Sequence, residues 1–304
     1  MVETCGDGEH RLYPFEPSTA AAAIYAVAFG ILTVGHTFRM FQSRQWFMSI
    51  LVVGSSFEVG GFAVRLTSIN DPCTLGIYIV QYLLILLAPS IFSANIYMIL
   101  GRTIRAVHGE ALSPIRPTWL TKIFVTGDVL CFLIQMAGGG MLAGAEGDKK
   151  RADLGKFTIL AGLFLQIVLF AVFIVVSYIF YNRLRKQPTP RSRQPEIRWL
   201  TMLYVLFGVS MLITVRNIFR VVEYAAGEDG YLLTNEWPMY VFDATLMLSV
   251  VAILLWWFPT LIRPRNAYMM DTLESQAPLT DRSQTGYKHV SSDFPSSLPP
   301  RHGY

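Results

Sequence analysis

Residues 46–66 read WFMSILVVGSSFEVGGFAVRL, an apolar stretch with Glu58, the Gly60–Gly61 pair and Arg65 set inside it. A bilayer core of about 30 Å needs roughly 20 apolar residues to be crossed by a helix. This stretch has that length. A charged side chain at the centre of such a helix costs about 3 kcal/mol on insertion scales, so charges there mark a functional or structural device.

Working outward, six further segments have the same character, at about 18–40, 76–101, 119–143, 157–181, 199–224 and 238–262. Only 15% of the 304 residues are charged and 53% are hydrophobic, against roughly a quarter charged in ordinary soluble domains. The segments are continuously apolar and do not alternate, which excludes barrel strands. The sequence predicts an all-α polytopic membrane protein with seven transmembrane helices. Residues 1–17 form a polar N-terminal tail without an apolar core. No cleavable signal peptide is expected there, and the first helix serves as its own insertion signal.

Lys and Arg near the helix ends fall overwhelmingly on one side. Arg39, Arg44, Arg102, Arg105, Arg116, Lys122, Arg183, Arg185, Lys186, Arg191, Arg193, Arg198, Arg263 and Arg265 share it. The other side holds Arg11, Lys149, Lys150, Arg151 and Lys156, with an acidic loop (Glu228, Asp229, Glu236) before the last helix. The positive-inside rule then places the N-terminus outside and the C-terminus in the cytosol. The loop from Arg183 to Arg198 is basic and carries three prolines; it serves that rule, and it also suits anionic lipid headgroups. From residue 264 to 304 the chain is rich in Ser, Pro and charge and is expected to be a disordered cytosolic tail. The domain organisation is thus 1–17 outside, 18–263 in the membrane and 264–304 in the cytosol. Cys5 and Cys73 both fall on the outer side, where a disulfide would persist. A bridge and two unpaired thiols both remain open, because spacing does not establish pairing geometry. Cys131 lies within the fourth segment.

Gly54, Glu58, Gly61 and Arg65 are spaced i, i+4, i+7, i+11 and therefore share one stripe of the second helix. Glu58 and Arg65 are about 10 Å apart along the axis, too far to pair directly. Segment six offers Arg216, Arg220 and Glu223 on one face with Asn217 beside them, and segment seven offers Asp243. Asp128 and Gln135 lie in segment four, and Gln81 and Asn95 in segment three. Four acids and three arginines make a nearly neutral set, as buried charges require. The functional reading is an outward-opening polar cavity for the head group of an amphipathic ligand. The structural reading is an ion-pair network that sets helix register. His36 reads as a hydrogen-bonded core residue. Pro89 is expected to kink the third helix or free a carbonyl in it, and the glycines at 138–140 to loosen the fourth or let a neighbour approach.

No phosphate loop of the G-x-x-x-x-G-K-[ST] type is present, nor G-x-S-x-G, H-E-x-x-H or Cys-x-x-Cys. The five histidines are scattered at 10, 36, 108, 289 and 302. The chain is therefore read as a non-enzyme with no metal and no cofactor. Its expected partners are membrane lipids and an amphipathic small molecule, and not nucleic acid.

Several motifs occur together in order. They are YPFEPS at 13–18, Glu58-x-x-Gly61-x-x-x-Arg65, QYLLILLAPSIFSANIYMILGR at 81–102 and GDVLCFLIQMAGGG at 127–140. RNIFRVVEYAAG at 216–227 and Glu236-x-x-x-Tyr240-x-x-Asp243 complete the set. In this the chain closely resembles the fungal lipid-translocating exporter family, the aminocholesterol-resistance-like or RTA-like proteins, over about residues 12–263. The resemblance implies seven helices, an outside N-terminus, and a role in moving sphingoid long-chain bases or resisting toxic sterol analogues. The plasma membrane is the expected location, with internal membranes as the alternative. A seven-helix receptor or lipid sensor without net transport is the alternative, although Asp-Arg-Tyr after helix three and Asn-Pro-x-x-Tyr on helix seven are absent.

Overall fold

The computed structural model describes residues 18–70, 75–144, 148–194, 198–226 and 235–257. Cys5, Cys73 and both tails lie outside the described residues. Among those described there are helices and connections but no strand, and seven helices are long and apolar enough to cross a membrane. They are α1 (Thr19–Ser43), α2 (Ser49–Asn70), α3 (Leu75–Ala106), α4 (Pro117–Ala143), α5 (Lys149–Lys186), α6 (Trp199–Ala225) and α7 (Trp237–Trp256). Short 3₁₀ turns at Trp46–Met48 and Glu110–Leu112 follow α1 and α3.

Helix starts follow from local chemistry. Ser18 caps α1 by accepting from the Ala21 amide, Pro117 opens α4, and Asp148 caps α5 by accepting from the Lys150 amide. Such caps satisfy amides that have no partner inside the helix. The cap at Asp148 extends α5 well beyond the apolar segment expected at 157–181. Lys149 to Lys156, expected as a loop, are helical. The reason lies in packing as well as capping, since Gly155 in this stretch meets α4.

Each helix turns one stripe inward and one outward. On α1 the exposed residues are Ile24, Val27, Ile31, Val34, Phe38 and Phe41, spaced alternately three and four apart. An apolar stripe of that kind suits lipid. Ala22, Phe29, His36 and Met40 form the opposite, buried face. His36 Nε2 lies 2.9 Å from the Val251 carbonyl oxygen of α7, the core role its isolation suggested. Helix α3 is the most buried of the seven and packs against α2, α4 and α6. It runs as one helix through Pro89, whose ring removes an amide from the ladder.

Glycine sets the contact of α4 with α5. A Cβ on Gly138 of α4 would lie 2.8 Å from the Gly155 carbonyl oxygen of α5, and one on Gly155 would lie 2.9 Å from that of Gly138. The two backbones touch there, as small residues allow in membrane bundles. Gly139 and Gly140 face open space, so of the three glycines only Gly138 makes the contact.

Candidate functional site

The predicted stripe on α2 is present: Gly54, Glu58, Gly61 and Arg65 are all buried. The room beside its glycines is occupied by α3. A Cβ on Gly54 would approach the Phe92 ring to 2.8 Å, and one on Gly61 would come within 2.6 Å of Ile85 Cγ1. These glycines admit a helix, and Glu58 and Arg65 project from the same buried stripe.

On α6, Arg216, Asn217, Arg220 and Glu223 are buried together. They meet α7 where it widens into a π-helical stretch, Tyr240–Ala244, that contains Asp243. Such π segments inside α-helices frequently sit at functional sites. Here the widening is held at its ends, since the Thr245 amide and hydroxyl both donate to the Tyr240 carbonyl. Asp243 takes two guanidinium groups, Arg216 Nε at 2.7 Å on Oδ1 and Arg220 Nη2 on Oδ2. Arg220 Nη1 also donates to Glu223 Oε2 at 3.0 Å, and Arg216 Nη1 donates to Asn217 Oδ1 at 3.4 Å. The Tyr82 ring of α3 lies 5.9 Å from the Arg220 guanidinium carbon.

Glu58 of α2 lies within electrostatic range of Arg216, Arg220 and Asp243. It is 1% exposed, and its Oε2 has no hydrogen-bond partner. Arg216 Nη2, Arg220 Nε and Asn217 Nδ2 are also buried without partners. The cluster thus sets three carboxylates (Glu58, Glu223, Asp243) against two guanidinium groups (Arg216, Arg220). With every group ionised, one negative charge is in surplus, and Glu58 is the acid with no direct ion pair among the described residues.

Arg65 is placed elsewhere. Its Nη2 donates to Glu236 Oε1 at 2.7 Å, and the Tyr240 hydroxyl donates to the same oxygen at 3.0 Å. The Ser18 amide donates to Glu236 Oε2 at 2.7 Å. One carboxylate thereby ties the start of α1, the end of α2 and the start of α7. Below it Tyr25, Phe62 and Tyr240 stack, with ring centroids 5.2 Å apart for Tyr25 and Tyr240.

Two sequence-predicted residues join neither group. The Tyr97 hydroxyl of α3 donates to Asp128 at 2.9 Å, and Gln135 donates to Gln166 of α5 at 3.0 Å. Both lie between α3, α4 and α5. The sequence reading left out Glu236, Tyr240, Tyr97 and Gln166 as site residues. The first two share the i, i+4, i+7 spacing that leads to Asp243. Tyr97 reads as ordinary aromatic core, and Gln166 is a lone amide in a long apolar run. Among the described residues, no three His, Cys, Asp or Glu side chains converge to hold a metal ion.

The chain is 34% identical over 219 residues to Protein RTM1 of Saccharomyces cerevisiae, covering 71% of this chain and 69% of that one. It is 30% identical to Protoporphyrin uptake protein 1 of the same yeast, over 81% and 91% of the two chains. It is 25% identical to the Sphingoid long-chain base transporter RSB1, also from S. cerevisiae, over 80% and 70%. No solved structure matches significantly. A family model described as RTA1 like protein matches residues 51–266, and this integral membrane protein, with its seven apolar helices, belongs to the RTA1-like family.

Proposed function

We propose that the protein moves an amphipathic lipid or toxicant carrying one positive charge across its membrane, with the α2–α6–α7 cluster receiving the head group. A sphingoid long-chain base is the representative substrate, as the name of one relative suggests. The observation that carries this reading is the unpartnered Glu58 Oε2 in a cluster with one surplus carboxylate. Arg216 and Arg220 hold Asp243 and Glu223, so Glu58 is the acid left for an ammonium, while the hydrocarbon tail stays in lipid. The charge asymmetry supports the outward-facing orientation, and the family resemblance supports the plasma membrane. Resistance to toxic lipid analogues is the expected cellular consequence.

Glu58→Gln tests the reading. It removes the surplus charge and keeps the volume. Flux of labelled sphingoid base through vesicles of purified protein is expected to fall at least about tenfold, equivalent to ~1.4 kcal/mol of head-group interaction, at unchanged surface abundance. Collapse of abundance would assign the cluster to helix register alone. Saturable binding without flux in the wild type would make the protein a seven-helix lipid sensor.

A further inference from the structure

The second polar group, between α3, α4 and α5, has a composition that helix register does not require. Asp128 starts about 16 Å along α4 from Pro117, near the middle of a bilayer-spanning helix. It is 3% exposed. Oδ2 accepts from the Tyr97 hydroxyl, and Oδ1 has no hydrogen-bond partner. The titratable groups facing Asp128 are Tyr97 from α3 and the buried Cys131 thiol on its own helix. Helix α5 brings Phe170 and Phe173 against Tyr97, at ring distances of 6.2 and 4.6 Å. Among the described residues no Lys, Arg or His forms an ion pair with Asp128.

A carboxylate there has no cation to offset its charge, so a proton is the counterion that chemistry supplies. Polar side chains lead away from it through α3. Ser93, about one turn from Tyr97 on α3, donates to the Pro89 carbonyl at 3.0 Å. One turn away, Ser90 accepts from Gln166, which accepts from Gln135. Helix α3 also carries Tyr82 beside Arg220, so one helix touches both polar groups.

We infer that Asp128, held by Tyr97, is a proton-carrying site that couples a proton gradient to movement of the head group bound at Glu58. In the step itself, hydronium at the membrane surface gives up a proton and leaves as water. An O–H bond forms at Asp128 Oδ1 and breaks again on release toward water on the other side. The coupling rests on the transport reading above; the proton site itself does not.

Two measurements on full-length protein separate them. The first uses vesicles with a fluorescent long-chain trimethylammonium probe, which is permanently charged and carries no proton of its own. A gradient of one pH unit is expected to drive about tenfold accumulation by the wild type, at one proton exchanged per cation. Asp128→Asn is expected to exchange the probe downhill but to lose the gradient-driven accumulation. Accumulation by Asp128→Asn at the wild-type level would overturn the proposal. The second measurement is infrared. The wild type is expected to show a protonated-carboxyl carbonyl band at neutral pH that Asp128→Asn removes and Tyr97→Phe shifts. No such band, or a band that Tyr97→Phe leaves unmoved, would overturn the site. If the wild type moves no probe at all, the transport reading fails while the infrared band still decides the proton site.

Discussion

The two polar regions inside this bundle solve the same problem in opposite ways. Between α2, α6 and α7 every guanidinium group has a carboxylate partner, and Asp243 serves two of them. Between α3, α4 and α5 one carboxyl, Asp128, sits among neutral hydrogen-bonding groups with no ion-pair partner among the described residues, and the helices are held by glycine contacts. Removing one partner from a buried charge pair strands the other, whereas removing a neutral hydrogen bond in a membrane costs little. The first region should therefore be brittle to polar substitutions and the second brittle to changes in size.

The largest effect is expected from Asp243→Ala, which leaves Arg216 and Arg220 facing each other without their shared anion. A loss of about 3–5 kcal/mol follows for a broken buried pair, read as a collapse of folded yield or a large drop in the melting point in detergent. A mild loss would show that Glu58 or Glu223 takes over. Next comes Glu236→Gln at the α1–α2–α7 junction. Replacing a charged acceptor of three hydrogen bonds should cost about 1.5–3 kcal/mol, measurable by the same melt.

Gly138→Ala probes the other region. The new methyl group meets the Gly155 backbone, which cannot move aside as a flexible side chain would. A loss of about 1–3 kcal/mol is expected from overpacking, while Gly139→Ala, facing open space, should stay within about 0.5 kcal/mol. Equal effects at the two positions would remove the α4–α5 contact as an explanation. The smallest effect belongs to Tyr97→Phe. It deletes one interhelical hydrogen bond, worth about 0.6 kcal/mol on average in a membrane protein, so thermal stability should barely change.

The glycine-flanked stripe on α2 shows how much of this was legible in one dimension. Its periodicity placed Gly54, Glu58, Gly61 and Arg65 on one buried face, which the fold bears out. Its spacing also ruled out a Glu58–Arg65 pair, and Arg65 bonds Glu236 instead. Whether the glycines made room for a ligand or for a helix was not legible, because that depends on which helix lies alongside. The α3 side chains Phe92 and Ile85 answer it. Likewise, Asp128 looked like one more member of a single charged network until the order of helix packing set it beside Tyr97.

By itself, then, the sequence determined seven apolar spans, the charge asymmetry of their ends, the polar stripes of α2 and α6 and the family to which the motifs point. All of these depend on composition, or on a periodicity that the α-helix imposes locally on every chain. Only the tertiary structure decided the partners. It divided the polar residues between two regions, left Glu58 as the surplus acid, tied three helix ends at Glu236 and widened α7 at Asp243. The physical reason is that a buried charge is satisfied across helix boundaries, and which helices share a boundary is a property of packing that no single span carries.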